Sequence, residues 1–454
     1  MIASSKKSNK GVRQLASEIL LKVDVRNAYA DILLDRALKT STLEDRDRAL
    51  LTEVTYGTLR WRGQIDAQLS HYLRQPLTKS DPLIRNLLRV SAYQLLFLDK
   101  IPDYAAVNEA VELAKIHSGA KTAGFVNGVL RNFLRDKHRG PGQKDESAAG
   151  LAIAYSHPEW LVKRWLEEFG VEPAKALMRA NNEKAPLVLR VNLLKCTRDE
   201  LLDRLLKAGI AAKATRWSPQ GVSLASGSAV EKLPGFSEGF FQVQGEASQL
   251  VTYLLSPRPG ERILDACAAP GGKSTHIAEV MHDHGEVIAI DISARGIEKI
   301  RENVARLTLG SIRVMRADAS REFTESLHAS YDRILVDAPC SGLGTLRGHP
   351  ETKWHRNESD IRRLASLQSK ILDQVASHLK PGGVLVYATC TLTCDENEHV
   401  VEAFLTRQRS FELQDAARYL PQEAQQMVRE KYFLAVTHRD NTDGFFAARM
   451  RKVA

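Results

Sequence analysis

No apolar run in the 454 residues approaches the roughly 20 needed to cross a bilayer, so a membrane-spanning helix is not expected. The opening Met1-Ile2-Ala3-Ser4-Ser5-Lys6-Lys7 lacks the apolar core of a secretory signal, and the expected location is cytoplasmic. Cysteine is scarce. Five residues, an odd number without framework spacing, exclude a disulfide scaffold and fit a reducing compartment. Internal repeats and low-complexity tracts are missing too. What is present, 43% hydrophobic and 26% charged residues, is ordinary globular composition. The length exceeds what one core supports, which implies two or three domains.

Charge is unevenly spread. Of the net +9, +7 falls within residues 1–150. That excess points to an anionic partner, with nucleic acid favoured over membrane because no segment reads as a basic amphipathic anchor. A merely solvated face would look similar.

Residues 1–140 read as an all-α bundle. Val12, Leu15, Ala16, Ile19, Leu20 and Val23 follow the spacing of one buried helix face. Val107, Ala110, Val111 and Ala114 repeat it, as do Phe125, Val129, Leu130, Phe133 and Leu134. Arg60, Arg62, Arg85, Arg89, Arg131 and Arg135 stud these helices and are candidates for a phosphate-binding face. The polar, breaker-rich stretch 136–150 reads as a linker, so residues 141–184 are expected to be linker and connecting helices, one restarting at Ser156-His157-Pro158. Residues 185–250 read as a small α/β module, with strands near 187–192 and 239–244 and a helix over 199–208. From 251 to 454 strands at 262–265, 287–290, 312–315, 333–336 and 383–388 alternate with helices, the pattern of a doubly wound, Rossmann-like parallel sheet.

The first of those strands runs into Asp265-Ala266-Cys267-Ala268-Ala269-Pro270-Gly271-Gly272-Lys273-Ser274. A glycine turn entering a helix presents backbone N–H groups to an anionic or polar ligand. A phosphate loop would need glycine where Cys267 stands, and a dinucleotide fingerprint would need G-x-G-x-x-G, which is missing. The third reading is the S-adenosylmethionine site of doubly wound methyltransferases. Asp291 ends the second strand, placed for ribose hydroxyls, and Asp318 follows the third, placed for an adenine edge. Each acid alone is more often a helix cap; three strand-end acids in order, Asp291, Asp318 and Asp337, favour the cofactor.

Two cysteines stand at strand ends as well: Cys340 in Asp337-Ala338-Pro339-Cys340 and Cys390 in Tyr387-Ala388-Thr389-Cys390. A lone cysteine is usually inert packing. Ligands of open α/β sheets bind beyond the carboxyl strand ends, however, and neighbouring strands lie about 4.8 Å apart, so both sulfurs can serve one substrate. Carbon 5 of cytosine is a poor nucleophile, and a thiolate adding at carbon 6 turns the ring into an enamine able to attack a sulfonium methyl. An acid near N3, such as Asp337, would stabilise charge on the ring. A second thiolate or a water could remove the carbon-5 proton. Cys390-x-x-x-Cys394 invites a metal reading, but no further Cys or His completes a four-ligand zinc spacing, and no metal is expected. His282 and His284 read as surface residues of a loop.

Cys267-Ala268-Ala269-Pro270-Gly271-Gly272-Lys273, Asp337-Ala338-Pro339-Cys340-Ser341-Gly342 and Ala388-Thr389-Cys390-Thr391 together resemble the RNA cytosine-C5 methyltransferases. Arg347-Gly348-His349-Pro350-Glu351-Thr352-Lys353-Trp354 and Asp443-Gly444-Phe445-Phe446 fit the same pattern. Asn108-Glu109-Ala110-Val111-Glu112-Leu113-Ala114-Lys115 and Phe125-Val126-Asn127-Gly128-Val129-Leu130-Arg131 resemble the NusB fold of antitermination factors. The combination is similar to the RsmB (Sun/Fmu) branch, over nearly the whole chain.

That resemblance implies methyl transfer from S-adenosylmethionine to a 16S rRNA cytosine, at position 967 of that RNA, through a cysteine–C6 adduct. It implies Cys390 as nucleophile, Cys340 as the releasing residue, and cofactor contacts from Cys267, Ala268, Ala269, Pro270, Gly271, Gly272, Lys273, Asp291, Asp318 and Asp337. DNA cytosine methyltransferases use the Pro-Cys cysteine instead, so spacing alone leaves the roles of Cys340 and Cys390 open. The implied partner is small-subunit rRNA, free or in an assembly intermediate, bound by a monomer without membrane attachment. Gly348 departs from the Arg common before His-Pro, and Cys394 from a common Pro. A base must leave its stack to enter such a pocket, which favours unpaired loop cytosines. Lys353, Trp354, His355 and Arg356 mix charge with an aromatic that could stack on a base, though Trp354 serves equally as a core anchor. Two other classes compete: a nucleotide hydrolase gripping phosphates with Gly272-Lys273-Ser274, and a non-catalytic ribosome-assembly factor indifferent to loss of Cys390.

Overall fold

The computed structural model describes residues 10–136, 145–224, 230–324, 327 and 330–453. The opening Met1–Lys7 and most of the expected linker, 137–144, lie outside them. The chain divides into two units, 1–183 with 346–355, and 184–345 with 356–454. None of the described helices is long and apolar enough to cross a membrane.

The first unit is helical: α1 (Val12–Arg26), α2 (Ala30–Thr40), α3 (Asp45–Ser70), α4 (Pro82–Phe97), α5 (Asp103–Asp136), α6 (Ala148–Ala154), α7 (Glu159–Phe169) and α8 (Val171–Asn181). The expected apolar face of α1 is buried throughout, packed with Leu51, Val54 and Leu88. Asp81 starts α4 by accepting the N–H groups of Leu83 and Ile84, with Pro82 in the first turn where no N–H is missed. In α5 the face departs from expectation. Gly119, at φ 82, interrupts the helix, and Phe125 beyond it is 43% exposed. The buried stripe there is Ala123, Val126, Val129, Leu130 and Phe133, so Phe125 sits off it.

In the second unit β1 (Leu187–Val191), α9 (Arg198–Lys207), β2 (Ala212–Ala214), β3 (Gly221–Leu224) and β4 (Phe241–Val243) form a four-stranded antiparallel sheet ordered β2-β3-β1-β4. Thr197 and Glu200 cap α9 reciprocally. There follow α10 (Glu246–Leu255), β5 (Arg262–Asp265), α11 (Gly272–Val280), β6 (Glu286–Asp291), α12 (Ala294–Leu307), β7 (Ile312–Arg316) and β8 (Tyr331–Asp337). The helical turn α13 (Thr352–His355) closes the segment assigned to the first unit. After it come α14 (Glu358–Ala376), β9 (Leu379–Thr389), α15 (Glu398–Arg407), β10 (Phe411–Gln414), β11 (Val428–Arg429), β12 (Tyr432–Ala435), α16 (Thr437–Asp440) and β13 (Phe445–Lys452).

All five expected strands are present, and β9-β8-β5-β6-β7 run parallel. The sheet is nevertheless mixed. β13 pairs antiparallel with β9, and β12, β11 and β10 extend that edge. β11, β12 and β13 are joined by short connections, which antiparallel pairing allows without a helical crossover. Apolar side chains cover both faces of the sheet, Ile288, Ile334 and Leu385 among one set and Ile263, Leu335 and Val386 among the other.

Candidate active site

β5 ends at Asp265, and the chain turns through 266–271 before α11 begins. Gly271 sits at φ 99, and a Cβ there would lie 3.2 Å from Ile300 Cα. Both facts require glycine. Cys267, Ala268, Ala269, Pro270, Gly272 and Lys273 line one pocket with Asp265, Asp337, Val243, Gln244, Gly245 and Ser248. Asp291 reaches the same turn, accepting the Ala269 N–H at 3.1 Å, while its other oxygen takes the Ser293 N–H. Asp318 accepts from Ser320 and pairs with Arg321, and those contacts hold its carboxyl below the ordinary range.

Asp265 was not singled out in the sequence. One of its oxygens accepts from Ser274 Oγ at 2.6 Å, and the other is buried in the pocket wall with no partner. Desolvation, reinforced by Asp337 and Asp291, pushes it up to about 7. Lys273 Nζ is 2.6 Å from Asp337 Oδ2 and lies over the Phe445 ring. With Lys273 on Asp337 and Ser274 on Asp265, the pair a phosphate loop would aim at a nucleotide is committed within the protein. Cys267 feels desolvation and then all four carboxylates, which push its thiol well up and make it an unreactive wall.

β8 and β9 are neighbours in parallel register, Asp337 opposite Ala388. The residues just past their ends meet: Cys340 Sγ and Cys390 Sγ are 3.2 Å apart. The contact with Cys390, then desolvation, holds the Cys340 thiol well above its usual range. Around them a buried polar frame ties the two loops together. Glu396, fully buried, accepts the Ser341 N–H at 2.8 Å, Gln368 Nε2 at 3.0 Å and Thr393 Oγ1 at 2.9 Å. Ser341 Oγ meets Thr391 Oγ1 at 2.8 Å, and Asn397 bonds both Thr389 and the Thr391 carbonyl. Gly344 donates to the Cys390 carbonyl and accepts from Gly444, so close that a Cβ would fall 2.1 Å from the Gly444 oxygen. Cys394 hydrogen-bonds Glu398 instead of joining the pair, and His282 and His284 are exposed.

A second support is Arg190 of β1, wholly buried. It pairs with Glu279, bonds Gln244 and Thr275, and donates to the Gly272 carbonyl at 2.5 Å. One guanidinium thus fixes both a wall of the pocket and the first residue of α11.

The expected RNA-facing residues fare differently. Trp354 Nε1 donates to the Leu59 carbonyl at 2.7 Å with Arg62 over its ring, so it acts as an anchor within the helical unit. Lys353, buried, donates to Arg60 O and Asn182, and burial drives its amine well below the usual range. His355 meets the Val23 carbonyl and Arg356 donates to the Ser341 carbonyl. Arg62, Arg85 and Arg89 converge on Asp24, and Arg89 also grips Asp66. Burial works to raise Asp24, but these guanidinium groups outweigh it and hold the carboxyl low. Arg60 is turned onto the Arg347 carbonyl. Of the six candidate arginines, Arg131 and Arg135 are the exposed ones.

Residues 252–451 match the family described as 16S rRNA methyltransferase RsmB/F. Residues 10–135 match the NusB family, and 157–231 the ferredoxin-like domain of RsmF/B-like methyltransferases. The probable ribosomal RNA small subunit methyltransferase B of Bacillus subtilis (strain 168) is 40% identical over 97% of this chain and 98% of its own. The ribosomal RNA small subunit methyltransferase B of Serratia proteamaculans (strain 568) is 37% identical over 98% and 100%. Among solved structures, a methyltransferase homologue from Pyrococcus horikoshii gives a TM-score of 0.58 at 29% identity over 68% of this chain and 99% of its own. NSun6 from the same organism, solved with SFG, gives 0.59 at 25% over 65% and 98%.

Proposed function

This chain belongs to the 16S rRNA methyltransferase RsmB/F family, and from that premise we propose that it methylates C5 of one cytosine in 16S rRNA, at position 967, through a covalent adduct of Cys390 with C6. The methyl donor is S-adenosylmethionine. The pocket beyond β5 suits it: Asp265 offers a buried, unpartnered oxygen to a cationic group, and the turn before α11 lets backbone approach closely. Asp291 stands for the ribose hydroxyls and Asp318 for the adenine edge, with Ile292, 61% exposed, giving a purine ring an apolar surface. When bound, the cofactor supplies an electrophilic methyl on a sulfonium.

The observation that carries the reading is the 3.2 Å approach of two strand-end thiols beside Asp337. Cys340 keeps its proton and turns it toward the Cys390 sulfur, 3.2 Å away, while Cys390 gives its own proton to water. The Cys390 thiolate forms its bond to C6, and the electron pair of the C5–C6 double bond becomes available at C5 for the methyl. Asp337 takes a proton from Lys273, which sits 2.6 Å from it, and donates that proton to N3 as negative charge develops on the ring. A water beside Cys340, or Cys340 itself once its own proton has passed to solvent, takes the C5 proton, the double bond re-forms, N3 returns its proton to Asp337, and Cys390 leaves as the thiolate. The partner is 16S rRNA with the target base out of its stack, free or in an assembly intermediate, bound by a monomer in the cytoplasm.

The test is denaturing-gel detection of protein–RNA adducts formed with S-adenosylmethionine and unmodified 16S rRNA. Cys340→Ala should accumulate an adduct, while Cys390→Ala should give neither adduct nor methylation. The reverse pattern assigns the nucleophile to Cys340, and intact methyl transfer by both variants sinks the covalent route.

A further inference from the structure

The segment Leu346–His355 brings a cluster of ligand-type side chains into the helical unit that the proposed reaction does not use. Asp31, in the first turn of α2, His349 and Glu351 each place one ligand atom within 4.8 Å of the others. Glu351 is fully buried. Its Oε1 accepts the Ala30 N–H at 3.1 Å, capping α2, while Oε2 has no hydrogen-bond partner. His349 Nδ1 is also buried without a partner, 3.9 Å from Glu351 Oε1 and too far to bond it. Buried polar atoms left unbonded disfavour the fold unless a ligand satisfies them.

The surroundings supply no cation. Arg60 is bonded to the Arg347 carbonyl, Arg347 pairs with Glu183, and Lys353 donates to Arg60 O and Asn182. Among the described residues, no lysine or arginine is ion-paired with Asp31 or Glu351. Tyr56 reports the result: burial, then the charges of Glu351 and Asp31, push its phenol up. The cluster is a net negative pocket whose innermost acceptor is unused.

We propose that Asp31, His349 and Glu351 bind one divalent first-row metal ion of the manganese or zinc type. One imidazole nitrogen with two carboxylates is a borderline donor set, which suits these ions better than magnesium, with its preference for oxygen and water, or copper(I), with its preference for sulfur. Metal–ligand bonds of about 2.0–2.2 Å put donor atoms roughly 3.3–3.6 Å apart, so loading closes the cluster by about an ångström. Asp31, the most exposed of the three side chains, can make that movement. Its open side leaves the remaining coordination positions to water. No sequence motif announces the site, because one ligand comes from the second helix and two from a segment beyond β8.

Titration of the chelator-treated, full-length protein with Mn2+ alone, read by loss of the free-ion paramagnetic resonance signal, tests it. Mn2+ avoids thiols, so Cys340 and Cys390 do not compete. The wild type should take up one ion per chain with micromolar or tighter affinity. Asp31→Asn and His349→Ala should each weaken uptake at least tenfold, with the metal-free Asp31→Asn variant melting as the wild type does. No saturable uptake by the wild type, or uptake that both variants leave unchanged, overturns the proposal.

Discussion

One oxygen of Asp265 is satisfied by Ser274, and the other by nothing in the protein. A carboxyl raised to about 7 in the folded state from an unfolded value near 3.8 favours the fold while protonated. That contribution is complete below about pH 4 and is lost as pH rises through about 7. The free protein should therefore lose stability across that window, and Asp265→Asn should flatten the profile in denaturant titrations. Cofactor affinity should run the other way. The ionised fraction climbs from about a tenth at pH 6 to about nine-tenths at pH 8, so affinity for S-adenosylmethionine should rise up to about ninefold in calorimetry, and Asp265→Asn should abolish the trend. Glu396 can be probed as sharply. Glu396→Gln keeps the shape but removes charge from the bond to the Ser341 N–H, a loss of about 1 kcal/mol, and should lower kcat more than cofactor affinity. At this scale the sequence disclosed the two cysteines, Asp337 and the glycine turn, because each follows an apolar strand and is flagged by a breaker. Glu396 and Asn397 carried no such flag, since burial of a polar side chain is decided by what packs around it.

Among elements, α3 and α4 show how a basic count misleads. Arg62 and Arg89 are embedded in ion pairs with Asp24 and Asp66, whereas Arg131 and Arg135 on α5 are exposed. Arg89→Met should destabilise the helical unit by about 3–5 kcal/mol in urea titration and leave the salt dependence of rRNA binding unchanged. Replacing Arg131 and Arg135 with Ala should do the opposite, leaving the urea midpoint alone and reducing the slope of log K against log salt by about 2. Periodicity made the helices readable, since a buried stripe every three or four residues needs no knowledge of its partner. It failed at Phe125, which stands one position before Val126 and so points off the stripe that Val126, Val129, Leu130 and Phe133 bury. The parallel strands were equally plain from their alternation with helices. The antiparallel edge was not, because β13 follows β12 through one helical turn, and pairing of that kind leaves no crossover to detect. Arg190 marks the same limit: within a strand it reads as routine alternation, while the fold makes it the tie between β1 and the start of α11.

For the whole molecule, the assignment of Leu346–His355 to the first unit governs how the chain is made. Residues 1–183 leave the ribosome first, but Lys353, Trp354 and His355 bond to backbone carbonyls of that stretch and Glu351 caps its second helix. At about 5–20 residues per second, some 8–35 s separate synthesis of residue 183 from synthesis of residue 355. A fragment 1–183 should accordingly melt below the intact protein, and a synthetic peptide of residues 346–355 should raise its melting temperature; no response to the peptide would contradict this. During that interval on the ribosome the nascent helical unit waits with three backbone carbonyls and a helix start unsatisfied, a window in which a chaperone has something to hold.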